Sequence, residues 1–125
     1  MGHGTHGSTF GGNPLACSVG CSVLDLMNNE FFSNLSRTST FFIDELNKII
    51  NDFPDIVSEV RGKGFMLGIK CKVENTTFVN EARKNKMLTI KASDNVVRLL
   101  PPLNISIKDC ESALSIIRKV CKNLS

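Results

Sequence analysis

The Phe53-Pro54 step is the feature that most constrains the fold, because it separates two different hydrophobic patterns. Before it, apolar residues recur at three-, four- and seven-residue spacings, which are typical of helices that bury one face. The proline stops that pattern. After it, short apolar runs alternate in part with polar residues and are broken by glycine or asparagine, which predicts strands. The chain is therefore predicted to be α+β, with domains at 1–54 and 55–125.

Four helices and four strands are predicted along the chain. Residues 1–12 contain five glycines and are predicted to form a loop. The helix that follows Asn13-Pro14 is rich in small and apolar residues and is predicted to be largely buried. Gly62-Lys63-Gly64 is the predicted turn between the first two strands. The helices are predicted at about 14–28, 30–52, 77–85 and 107–122, and the strands at about 56–60, 65–73, 88–92 and 96–100.

Charge and composition exclude several classes of partner. Residues 1–55 carry two basic and six acidic side chains (−4), and residues 56–125 carry thirteen and six (+7), which together give the net charge of +3. The basic residues are scattered, so nucleic-acid binding is not predicted. No apolar run approaches the roughly 18 residues of a membrane span, and a cytoplasmic chain is predicted. Five cysteines without a C-x-x-C pair predict small core residues in a reduced protein, and no metal site is predicted.

The run His6–Ala16 combines glycine-rich backbone, the hydroxyls of Ser8 and Thr9, and a helix start at Asn13-Pro14. Glycines allow close approach to a ligand, and backbone N–H groups at a helix start favour an anion. The pattern therefore predicts a phosphate-binding loop. The alternative is that both hydroxyls bond only the local backbone of a turn, which is the commoner arrangement for an isolated Ser-Thr pair.

Arg61 is the second candidate binding residue. A guanidinium on a strand beside a glycine turn can hold a carboxylate through two parallel hydrogen bonds, which lysine cannot do equally well. The alternative is a solvated surface arginine. Arg98, on the last predicted strand, is predicted to form a structural ion pair.

Three segments, His6–Ala16, Val60–Gly68 and Val97–Leu103, resemble in order the landmarks of class III aminotransferases, which are pyridoxal-phosphate enzymes. The resemblance is closest to the acetylornithine aminotransferases and covers almost all 125 residues. It implies the C-terminal small domain of a fold-type-I pyridoxal-phosphate-dependent transferase, with the connecting helices that precede it.

The resemblance also implies roles for individual residues. Thr9 would contact the phosphate of pyridoxal 5'-phosphate in the neighbouring subunit of a homodimer. Ser8 would contact substrate or cofactor from the same loop, or only its own turn. Arg61 would hold the α-carboxylate of the amino donor and of 2-oxoglutarate. No catalytic residue is predicted in this chain, because the Schiff-base lysine of the family lies upstream of the glycine-rich run.

The implied activity of the complete protein is amino transfer between N-acetylornithine and 2-oxoglutarate, in arginine biosynthesis. The 125 residues alone are predicted to be an inactive fragment. Two alternatives stay open. One is an ornithine or other class III aminotransferase, and the other is a truncated remnant that binds without turnover.

Overall fold

The structure, a computed structural model, describes residues 2–125. It divides into two compact units, the described part of Met1–Ser33 and Asn34–Ser125. The elements run in the order α1 (Pro14–Leu26), α2 (Asn29–Asp52), β1 (Val57–Lys63), β2 (Met66–Cys71), α3 (Asn75–Lys84), β3 (Ile90–Ala92), β4 (Val96–Leu99) and α4 (Ile107–Leu124). The predicted α+β class and the order of its elements are confirmed.

The first unit consists of the glycine-rich loop, α1 and the start of α2. The Asn13 side chain accepts a hydrogen bond from the backbone N–H of Ala16 at 3.1 Å, and Pro14 opens the helix, as predicted. No residue of α1 is buried within residues 2–125, so the burial predicted for this helix is not provided by the part of the chain that the structure describes. A unit of this size has no second layer that could cover a helix this rich in apolar residues.

The second unit is a four-stranded antiparallel sheet with helices on one face. The strand order is β1-β2-β4-β3, so β1 and β3 are the edges. Because side chains alternate along a strand, the two faces of the sheet differ. One face is apolar, and the other, called the open face, carries the charged strand residues Glu59, Arg61, Lys70 and Arg98. The apolar face shares one core with α2, α3 and α4, and its buried strand residues are Val57, Leu67, Ile69, Cys71, Val97 and Leu99.

The second half of α2 belongs to this core. Phe42, Leu46 and Ile49 are at most 2% exposed, as the three- and four-residue spacing of these apolar residues predicted. The boundary between the compact units therefore falls at residue 33/34, inside α2, whereas the change of hydrophobic pattern lies near residue 54. The pattern identifies the buried face of a helix but does not identify what covers it.

The turn between β1 and β2 differs from the prediction. Lys63 pairs with Met66, so β1 continues through Lys63 and the turn is Gly64-Phe65. Gly62 lies within the strand at φ +122°, where an added Cβ would be 2.0 Å from the Met66 carbonyl oxygen. The glycine is needed there for backbone clearance and not for chain reversal.

The cysteines divide between the units. Cys71, Cys110 and Cys121 are buried in the core of the second unit, as predicted. Cys17 and Cys21 on α1 are exposed, so the prediction of core positions is wrong for these two. Both cysteines are exposed because no second layer within residues 2–125 covers α1.

Candidate functional site

The loop before α1 is built from two tight backbone turns. The N–H of Gly11 donates to the Ser8 carbonyl at 3.3 Å, and the N–H of Asn13 donates to the Phe10 carbonyl at 3.1 Å. Gly12 has φ +77°, a conformation that glycine adopts without strain. The loop therefore reaches the helix start at Pro14 with its backbone exposed, as an anion-binding helix N-terminus requires.

Ser8 and Thr9 are both exposed at this loop. Thr5 shows what local bonding looks like, because its hydroxyl donates to the Gly2 carbonyl at 2.8 Å. Within residues 2–125 the hydroxyls of Ser8 and Thr9 have no such hydrogen-bond partner. Two free hydroxyls beside a glycine turn and a helix start are donors of the kind that a phosphate group accepts, so the residues present fit that group.

The open face of the sheet carries the second candidate site. Arg61 on β1 pairs with Gly68 on β2, and Gly68 pairs with Arg98 on β4, so the three lie in one row across the sheet. Both arginines line the same shallow depression of about 370 Å³, together with Gly62, Met66, Leu67, Gly68, Ala92, Ser93 and Val96. Gly68 keeps the middle of the row free of a side chain, and a Cβ there would lie 2.6 Å from Val96 Cγ1.

Arg61 already has two carboxylate partners. Its Nε donates to Glu59 Oε2 at 3.1 Å, and its Nη1 donates to Asp94 Oδ2 at 2.7 Å. Hydrogen bonding to Asp94, and then to Glu59, raises the pKa of the Arg61 guanidinium above its ordinary value. A guanidinium has five N–H groups, so three remain for another acceptor.

Arg98 has no ion pair among residues 2–125, so the prediction that it forms a structural ion pair is wrong. Its guanidinium is exposed, and all of its donors are free to meet a ligand. The sequence contained a signal for this placement. Val97 and Leu99 are buried on either side of it, and strand alternation puts Arg98 on the opposite face.

Asp94 lies in the turn between β3 and β4 and was not predicted to belong to a site. Its carboxylate accepts hydrogen bonds from Arg61 and from Lys70 Nζ. The hydrogen bond from Lys70, and then the one from Arg61, holds the pKa of Asp94 below its ordinary value. Sequence alone gave no signal for this bridge, because Lys70, Arg61 and Asp94 lie on three different segments.

The comparisons with known proteins agree on one family. The family model described as aminotransferase class-III matches residues 1–121. Acetylornithine aminotransferase 2 of Caulobacter vibrioides is 43% identical over 118 residues, which are 94% of this chain and 29% of that protein. The chain belongs to the class III aminotransferases, and it spans about a third of the length of the curated relatives it matches.

Solved structures show the same similarity in three dimensions. The ornithine aminotransferase PY00104 of Plasmodium yoelii has a TM-score of 0.85 at 32% identity, over 100% of this chain and 34% of that one. An ornithine aminotransferase of Toxoplasma gondii, described with partial occupancy of PLP at its active site, has a TM-score of 0.80 at 31% identity, over 96% and 29% of the two chains. The predicted fold family is thereby confirmed. No helix within residues 2–125 has both the length and the apolar character needed to cross a bilayer.

Proposed function

We propose that this chain is the C-terminal part of an acetylornithine aminotransferase that uses pyridoxal 5'-phosphate. The complete protein would be a cytoplasmic homodimer that exchanges an amino group between N-acetylornithine and 2-oxoglutarate in arginine biosynthesis. The proposal is supported by the curated relatives, of which the first several are acetylornithine aminotransferases at 35–43% identity. Ornithine aminotransferase is the alternative, and the structural similarity to the Plasmodium yoelii protein favours it.

The observation that carries the proposal is the pair of arginines on one open sheet face. Both substrates of such an enzyme carry a carboxylate. In 2-oxoglutarate it lies next to the reacting carbonyl carbon, and in N-acetylornithine, whose α-amino group is acetylated, it lies at the opposite end of the molecule from the amino group that is transferred. A guanidinium binds a carboxylate with two parallel hydrogen bonds. Arg98 would supply the bidentate contact, because its donors are free. Arg61, predicted from sequence as the carboxylate ligand, would add the N–H groups that Glu59 and Asp94 leave free. Together they would fix the orientation of the substrate.

The loop of the first unit would hold the cofactor phosphate. Thr9 would donate its hydroxyl and backbone N–H, and Ser8 would donate from the same turn to cofactor or substrate. When bound, pyridoxal phosphate supplies the carbonyl group and the electron sink for amino transfer. These residues bind and orient, and residues 1–125 alone would carry out no turnover, as the family's catalytic lysine lies outside them.

The function is tested by assaying the complete protein with both amino donors. A higher kcat/KM for N-acetylornithine than for ornithine is the expected result, because kcat/KM measures discrimination between competing substrates. The reverse preference would replace the proposal by ornithine aminotransferase. Absence of turnover with either donor, in a protein that retains the cofactor, would favour a binding protein.

The carboxylate site is tested by Arg98→Ala and Arg61→Ala in the complete protein. We expect Arg98→Ala to raise KM for both the amino donor and 2-oxoglutarate about 100-fold, and Arg61→Ala about tenfold, from the loss of charge-assisted hydrogen bonds. Arg118→Ala is the matched control, since Arg118 is an exposed arginine that pairs with Asp52 on the helical layer. If both constants stay at the control value in both variants, the open face does not bind the carboxylate.

A further inference from the structure

Four charged side chains form one connected network on the open sheet face. Glu59 accepts from Arg61, Arg61 donates to Asp94, and Asp94 accepts from Lys70. Asp94 joins the two cations, because one of its carboxylate oxygens bonds Arg61 and the other bonds Lys70. Lys70 also donates to the backbone carbonyl of Asp94, so the lysine holds both the side chain and the main chain of this residue.

The β3–β4 turn that presents Asp94 is itself fixed. Asp94 and Asn95 have φ +60° and +53°, which are uncommon for residues with a side chain. The Asn95 side chain donates to the carbonyls of Cys71 and Val73, both at 2.8 Å, and accepts from the Asn75 N–H at 2.8 Å. These bonds tie the turn to the end of β2 and the start of α3. The Asp94 carboxylate therefore has a defined position beside the depression.

We propose that Asp94 is a positioning residue of the carboxylate site, holding the Arg61 guanidinium so that its free N–H groups face the depression that Arg98 also lines. This inference rests on the proposed function. Arg61 is a long side chain whose exposed fraction is 42%, and without partners it would sample many rotamers. Asp94 and Glu59 restrict it before substrate arrives, so less conformational entropy is lost on binding.

Asp94 also places a negative charge near the site. This charge repels a bound carboxylate, whereas positioning Arg61 favours its binding. If charge cancellation were its main role, its removal would strengthen attraction for a carboxylate and lower KM. If positioning is its main role, its removal weakens binding and raises KM. The two roles are therefore separated by the direction in which KM changes.

The test uses Asp94→Asn in the complete protein, with Asp52→Asn as the matched control. Asp52 is also a half-exposed aspartate paired with an arginine, Arg118, but it lies at the end of α2 away from the open face. We expect Asp94→Asn to raise KM for the amino donor and for 2-oxoglutarate about fivefold with kcat within about twofold, the size of a strong surface ion-pair contribution. The control variant should keep both constants unchanged.

A double-mutant cycle shows whether Asp94 acts through Arg61. In an Arg61→Ala background, Asp94→Asn should have no further effect on KM, because the residue that it positions is gone. Asp94→Gly provides a second variant, since glycine accepts φ +60° without strain and the turn is kept. Unfolding temperatures of all variants show that the fold persists.

Three results would overturn the inference while leaving the proposed function intact. They are an unchanged KM in both Asp94 variants, a lowered KM, and an additive effect in the Arg61→Ala background. Failure of the proposed function looks different, because the unsubstituted protein would then show either no amino transfer or a higher kcat/KM for ornithine than for N-acetylornithine. If the enzyme is active and Arg61→Ala also leaves KM unchanged, Arg61 does not belong to the carboxylate site and Asp94 has no positioning role there.

Discussion

The two compact units of this chain use apolar residues in opposite ways. In α1 of the first unit, Leu15, Leu24 and Leu26 are each at least 67% exposed, and no residue of the helix is buried. In the second unit, α2 and α4 are amphipathic, and their apolar faces close a core with one side of the sheet. The more uniformly apolar helix is thus the exposed one, because a helix is buried only where a second layer faces it.

The two units therefore have different roles: the second unit supplies the stability of the fold, and the first unit supplies a loop that is proposed to bind a ligand. The second unit has a core of its own, so its fold follows from interactions within Asn34–Ser125. In the first unit the defined features are the turns of the loop and the cap of α1. Substitutions in the two units are therefore expected to change different measurements.

The largest difference is expected between Phe42→Ala and Leu24→Ala. Phe42 is 2% exposed and packs against Phe65 with ring centroids 6.2 Å apart, whereas Leu24 is 67% exposed. Phe42→Ala should lower the free energy of unfolding by about 3–5 kcal/mol, the cost of a cavity in a core. Leu24→Ala should change it by about 0.5 kcal/mol or less. Urea denaturation of the chain measures both, and equal effects would show that α1 is covered in solution.

A loop substitution should change ligand binding and leave stability unaltered. Thr9→Ala in the complete protein should weaken retention of pyridoxal phosphate about tenfold, the loss of one hydrogen bond to a charged group. Thr5→Ala is the control, because the Thr5 hydroxyl is already bonded to the Gly2 carbonyl. Cofactor dissociation followed by absorbance decides the matter. Equal retention in Thr9→Ala and the unsubstituted protein would contradict a phosphate contact at Thr9.

Local sequence signals predicted the elements well, while burial and partners depended on long-range contacts. The Asn13-Pro14 cap and the stripe through Phe42, Leu46 and Ile49 are local patterns with a direct physical meaning. Apolar composition predicted that α1 is buried, but it cannot tell whether the layer that covers the helix lies within residues 2–125. The turn was predicted at Gly62-Lys63-Gly64 and lies at Gly64-Phe65, because the sequence does not show which of two glycines with positive φ reverses the chain.

The candidate site shows the same limit more sharply. Strand alternation beside Val97 was enough to place Arg98 on the open face, but an ion pair depends on the neighbouring strands and could not be read from one strand. Asp94 reaches Arg61, 33 residues away in sequence, only because β2 lies between β1 and β4 and the turn is closed by Asn95. Register and strand order therefore bring together a site that no single motif contains.

The smallest expected effect concerns the buried thiols and their pH dependence. Burial raises the pKa of Cys71 to about 11. Burial, and then the neighbouring Cys71, raise the pKa of Cys121 to about 12. A thiol whose pKa is higher in the folded state keeps its proton there while the unfolded chain loses it. This stabilising contribution is complete below the ordinary thiol pKa of about 9 and is lost as pH rises through the folded value.

The free energy of unfolding should consequently fall between pH 8 and pH 10 by on the order of 1 kcal/mol for each of these two cysteines. Cys121→Ser should remove part of that fall, because serine does not ionise in this range, whatever the variant's stability at pH 8. Cys17→Ser, at an exposed position of α1, should leave the fall unchanged. If both variants keep the full pH dependence, the second unit opens to solvent at Cys121, and the contrast in burial between the two units is smaller in solution than in the structure.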